Sequence, residues 1–204
     1  MSLGSLRVVL WVLIVAIAGG LGTYVVLREP AAPRSESSLL KPMVGIGGPF
    51  ALLDQKRRPF TDKDLEGRPT AMFFGYTFCP DVCPTTLLEA TAWMRELGKD
   101  ADRLRVVFVS VDPERDTPEK LDGYLASFDE RFLGLSGSRE ETDRIVKAYR
   151  VFARKVEGKG GDYTMDHTAS VYLLDPQGRF VGAINFQEPT DKAMIKIRQL
   201  LAKS

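Results

Sequence analysis

Three kinds of hydrophobic pattern follow one another along the chain. The first is unbroken: residues 8–27, VVLWVLIVAIAGGLGTYVVL, run 20 positions without a charge between Arg7 and Arg28. A helix of about 20 residues spans a bilayer core, and Trp11 and Tyr24 stand near its ends as interfacial aromatics do. A transmembrane helix over 8–27, within an anchor of residues 1–28, is therefore expected. Ala16-Ile17-Ala18 also offers a small-residue cleavage site for a signal peptide, but apolarity continues past it to Leu27, which favours an uncleaved anchor. Charge does not orient the span, because Arg7 lies on one side and Arg28, Arg34 and Lys41 on the other. The second pattern is the absence of one. Residues 29–47 are rich in proline, serine and glycine and read as a flexible linker.

From residue 48 the third pattern alternates strand and helix signals. PFALLD and RRPF predict a hairpin turning around Gln55–Arg58. PTAMFFGYT (Pro69–Thr77) and LRVVFVSVD are apolar runs of strand length, suited to burial on both faces. Between them, TTLLEATAWMRELG predicts a helix with Leu87, Leu88, Thr91 and Met94 or Arg95 at helical spacing and Gly98 as its stop. DTPEKLDGYLASF starts a second helix with Thr117 as N-cap and Pro118 at the first helical position. REETDRIVKAYR is a third, VFARKV a strand, and SVYLLD-PQG-RFVGAIN a hairpin turning at Pro176–Gly178. TDKAMIKIRQLLAKS closes the chain as an amphipathic helix with Thr190 or Asp191 as cap. This order predicts an α/β, thioredoxin-like domain over 48–204, a central mixed sheet flanked by helices.

Charge narrows the function. The 28 basic and 27 acidic residues are spread evenly, which excludes a nucleic-acid-binding surface built on net charge. The chemistry concentrates in YTFCPDVCPTT, residues 76–86, which holds both cysteines of the chain. Cys79 and Cys83 fall where a buried strand gives way to a helix, and a helix N-terminus favours a thiolate. Two partly exposed, reactive thiols are expected. A structural disulfide, a redox pair and part of a metal site all fit them, although a loop of three intervening residues constrains little of the unfolded chain. The chain has one histidine, so any imidazole chemistry points to His167, just ahead of the strand starting at Ser170. The glycine-rich GKGGD (Gly158–Asp162) before it suggests a mobile approach.

YTFCPDVCPTT, FVSVDPERDTP (Phe108–Pro118) and DYTMDHTASVYLLDPQG (Asp162–Gly178) together resemble the Sco/SenC family, from about Gly48 to the C-terminus. Its members are membrane-anchored, thioredoxin-fold proteins that help assemble the binuclear copper centre of cytochrome c oxidase. The resemblance implies that Cys79, Cys83 and His167 bind one copper ion. It also implies the copper-centre subunit of the oxidase as partner, with another periplasmic copper chaperone or a thiol reductase beside it. Two thiolates and an imidazole suit Cu(I) and can hold Cu(II), whereas a closed structural zinc site uses four ligands. A three-ligand catalytic zinc fits the count but lacks a convincing general base.

Asp166 is expected to orient the imidazole, or else to form a turn, and Met165 to pack or to serve as a weak axial thioether. Asp112, Arg115 and Asp116 are read as shaping their loop. The second function expected of the site is thiol–disulfide reduction by Cys79 and Cys83 as a catalytic redox pair, since a copper centre with thiolate ligands loads only once its disulfide is reduced. Anchor and oxidisable thiols suit the periplasmic side of a bacterial inner membrane or the intermembrane space of mitochondria, and the short N-terminus, which lacks an Arg- and Ser-rich presequence, favours the bacterial membrane.

Overall fold

The computed structural model describes residues 11–13, 16–17 and 40–202. Most of the expected membrane helix therefore lies outside the described residues. Among those described, no helix is long and apolar enough to cross a membrane. The compact unit runs from Leu39 to Ser204.

In chain order its elements are β1 (Ala51–Asp54), β2 (Pro59–Thr61), β3 (Thr70–Gly75), α1 (Val82–Leu97), β4 (Arg105–Ser110), α2 (Pro118–Leu125), β5 (Leu133–Ser136), α3 (Arg139–Ala148), β6 (Ala153–Glu157), β7 (Tyr163–His167), β8 (Val171–Leu174), β9 (Phe180–Ile184) and α4 (Thr190–Leu201). Seven strands form one mixed sheet in the order β2-β1-β5-β4-β3-β8-β9, while β6 and β7 pair only with each other. β3 lies parallel to β4 and antiparallel to β8, in the middle of the sheet. All six residues of β3 are buried, which is why its sequence reads as a continuous apolar run. The expected thioredoxin-like architecture is what the chain adopts.

The two predicted hairpin turns share one device. Asp54 Oδ1 accepts from the backbone N–H groups of Lys56 and Arg58, and Asp175 Oδ1 from those of Gln177 and Arg179. Thr117 caps α2 as expected, its hydroxyl accepting from Lys120 N–H. α3 opens on a capping box: Ser138 Oγ accepts from Glu141 N–H, and the Glu141 carboxylate accepts from Ser138 N–H.

Five details differ from or add to the expected layout. The buried face of α1 is Cys83, Thr86, Leu87, Ala90, Trp93, Met94 and Leu97, a stripe at helical spacing that leaves Leu88 59% exposed on the far side. α4 begins after Pro189 with no side-chain cap; neither Thr190 nor Asp191 fills that role. β5, LGLS, went unpredicted because it is short and contains Gly134. A Cβ at Gly134 would stand 2.7 Å from Leu125 Cδ1, so glycine is what lets α2 lie close on the sheet. VFARKV becomes β6 but stays out of the main sheet, pairing instead with the strand that ends at His167. In the segment read as linker, Leu40 is buried, and a Cβ at Gly182 of β9 would meet its Cδ2 at 2.6 Å.

Candidate metal centre

The site assembles from the end of β3, the start of α1 and the end of β7. The chain leaving β3 turns through Tyr76, Thr77 and Phe78 to Cys79, whose N–H donates to the Tyr76 carbonyl. Asp116 holds that loop. Its buried carboxylate accepts from Thr77 N–H at 3.1 Å, Thr77 Oγ1 at 2.6 Å and Ser110 Oγ at 2.6 Å. Burial nonetheless pushes its carboxyl pKa above the ordinary value, so those bonds serve position more than charge.

Cys79 is half-buried and Cys83, on the inward face of the first turn of α1, is 0% exposed. The expectation of two partly exposed thiols therefore holds for Cys79 alone. The thiols are free. The Cys79 thiol is held well below its usual pKa, first by the hydrogen bond from Cys83 Sγ, then by His167 and by Cys83 N–H, which points at Cys79 Sγ from 3.4 Å. Burial opposes this. The Cys83 thiol moves the opposite way, because it shares its proton with Cys79 and lies out of water. The pair thus consists of an accessible thiolate in front of a buried thiol.

His167 Nε2 lies 3.4 Å from Cys83 Sγ. Its Nδ1 faces the Thr168 carbonyl at 3.0 Å, and a carbonyl only accepts. Nδ1 therefore carries a hydrogen, which leaves Nε2 as the ring nitrogen that faces the sulfurs. The rings of Phe73 and Tyr76 meet the imidazole edge-on, with centroids 5.9 and 5.8 Å away. Cys79 Sγ, Cys83 Sγ and an imidazole nitrogen of His167 lie within 4.8 Å of one another, close enough to hold one metal ion. Cys79 and His167 face a cleft of about 320 Å³ that Tyr76, Pro80, Val82 and Met165 also line, and Cys83 lies buried behind it.

The predicted ligands converge, but the expected orienter does not. Asp166 points off the opposite face of β7 and pairs with Arg154 at 2.9 Å, as strand alternation requires. The backbone of Thr168 does the orienting, and no side-chain pattern signals that. Met165 is buried at the cleft wall, consistent with packing. GKGGD forms a tight hairpin turn, with Gly158 N–H donating to the Asp162 carbonyl at 2.7 Å. In the sequence Tyr76 and Phe73 carry only a strand signal, and nothing there marks their contact with the imidazole.

A thioredoxin-like domain carrying two cysteines and a histidine at one strand–helix junction is a soft-metal or redox protein with an open site. The comparisons with known proteins make the class specific. The SCO1/SenC family model matches residues 41–202, and this chain belongs to that family. Among curated proteins it is 36% identical to Protein SCO2, mitochondrial, of Saccharomyces cerevisiae over 176 residues, covering 84% of this chain and 56% of the yeast protein. It is 32% identical to the SCO2-like protein of Rickettsia felis, covering 89% of this chain and 90% of that one. Among solved structures, Bradyrhizobium japonicum ScoI with copper bound superposes with a TM-score of 0.72 at 52% identity, covering 76% of this chain and 99% of that chain. The chain thus spans little more than half of the yeast relative and nearly all of the rickettsial one.

Proposed function

We propose that this chain is a membrane-anchored copper chaperone. It takes one copper ion on Cys79, Cys83 and His167 and passes it to the copper-centre subunit of cytochrome c oxidase. The observation that carries this reading is the convergence of the three donor atoms within 4.8 Å. Two sulfurs and one imidazole suit copper in both oxidation states, and the related ScoI structure holds copper. Three ligands leave room for a fourth from the recipient, so the ion can be attacked before it is released. In this reading residues 1–28 anchor the chain in a bacterial inner membrane, the stretch from residue 29 up to the compact unit forms the tether, and that unit, from Leu39 on, stands in the periplasm. A second periplasmic copper chaperone or a thiol reductase supplies the metal or the electrons.

The unequal environments of the two thiols favour a companion activity. The Cys79 thiolate attacks a disulfide of the recipient and forms a mixed disulfide. Cys83 then attacks Cys79, leaving the recipient as a dithiol and this chain oxidised. Reduction of that kind prepares thiolate ligands for copper.

Cells lacking the protein are expected to lose most oxidase activity under copper limitation and to recover it when copper is added in excess. Full activity under limitation would contradict the assembly role. A loss that excess copper does not repair, but a membrane-permeant reductant does, would make thiol reduction the main function.

A further inference from the structure

The hairpin that presents His167 has little to hold it in place. Of the ten residues in β6 and β7, Met165 alone is buried. An element with so few buried apolar contacts is prone to local opening unless polar contacts fasten it. Besides a hydrogen bond between the Tyr76 hydroxyl and the backbone of Met165, those contacts come from one short loop between β4 and α2, residues 112–115.

Arg115 is their centre. Its Nε lies 2.6 Å from Asp112 Oδ2, its Nη1 donates to the Tyr163 carbonyl at 3.0 Å and lies 3.5 Å from the Asp162 carboxylate. Its guanidinium carbon sits 3.6 Å from the centroid of the Tyr163 ring and 4.6 Å from that of Phe78, the residue before Cys79. The Tyr163 hydroxyl in turn donates to Asp112 Oδ1 at 2.7 Å. One planar cation therefore touches both the cysteine loop and the strand that ends in the histidine. Glu114 reaches Lys155 of β6 at 3.0 Å, but that pair is exposed and screened by solvent.

We propose that Arg115 is a positioning residue, fixing the histidine hairpin over the cysteine loop and thereby completing the three-ligand copper set. The inference rests on the copper reading above. A lysine would keep the charge but lose the flat, forked group that stacks on the rings and bonds in two directions. Since two thiolates alone can hold Cu(I), displacement of the imidazole should be felt chiefly by Cu(II).

The test uses the full chain with Arg115→Lys and, as a milder change, Tyr163→Phe, which removes the hydroxyl bond but keeps the ring. Amide hydrogen exchange over 153–167 is measured on the reduced, metal-free protein, beside competition titrations with Cu(I) and Cu(II) ions and a melting curve. Arg115→Lys should speed hairpin exchange about tenfold relative to the central strands. It should weaken Cu(II) about tenfold or more, in the range seen when groups supporting a metal ligand are removed, with Cu(I) affinity and Tm nearly unchanged. Tyr163→Phe should move the same readouts in the same direction by less. Unchanged hairpin exchange in Arg115→Lys would overturn the inference, as would equal losses of Cu(I), Cu(II) and Tm. If the wild-type chain takes up no copper, the copper reading fails by itself, and the exchange data still decide whether Arg115 holds the hairpin.

Discussion

Replacing His167 with alanine is expected to weaken Cu(II) binding by roughly 100-fold or more, since loss of a ligand should exceed the loss of a group that only supports one. The imidazole is the single nitrogen donor of the set, and its Nε2 is pre-aimed by the bond from Nδ1–H to the Thr168 carbonyl. Cu(I), which two thiolates satisfy, should be held far better than Cu(II) in the variant. Both thiols should remain free to react and to form a disulfide, because their environment comes mainly from each other and from the first turn of α1. Competition titration and the sulfur-to-Cu(II) absorption band check this directly. An unchanged band in His167→Ala would mean that the imidazole is not a ligand.

Gly75→Ala is expected to damage the site from behind. A Cβ at Gly75 would lie 2.8 Å from Cys83 Sγ and 2.8 Å from Phe108 Cε2, and both of those side chains are 0% exposed. Neither has space into which to retreat. Overpacking of this kind costs about 1–3 kcal/mol, which for a domain of this size is a fall in Tm of roughly 2–12 °C. Because the displaced atom belongs to the proposed copper set, copper affinity should fall as well. Gly123→Ala is the natural contrast. Gly123 is an exposed position inside α2 with nothing within 4 Å of a new Cβ, so alanine there should stabilise by about 0.5–1 kcal/mol. A Gly75→Ala protein that melts with the wild type and binds copper normally would show that the strand end and Cys83 are not packed so closely.

What the sequence revealed and what it hid divide along physical lines. β3 and β4 were legible because strands buried on both faces are written as unbroken apolar runs, and α2 because Thr117-Pro118 writes its own start. The convergence of Cys79, Cys83 and His167 was legible for a simpler reason: two cysteines and one histidine leave few choices, and three ordered motifs carried the family resemblance. The depth of Cys83 was not legible, since it depends on which face of α1 meets the sheet; the same ambiguity misplaced Leu88. The partners of Arg115 were hidden too, because Tyr163 lies 48 residues away and only the folded hairpin brings it near. Thr168 acts through its backbone carbonyl, a group every residue has. Asp166 drew attention by its type and its place beside the histidine, yet strand alternation turns it to the other face.

The account stands on copper held by two sulfurs and one imidazole in the reduced protein. The most direct measurement is copper loading of the full, reduced chain followed by X-ray absorption at the copper edge. It should find one copper per chain with two sulfur neighbours and one imidazole nitrogen, and no uptake once Cys79 and Cys83 are oxidised to a disulfide. A reduced chain that binds no copper, or binds it as tightly after its thiols are oxidised, would contradict the account.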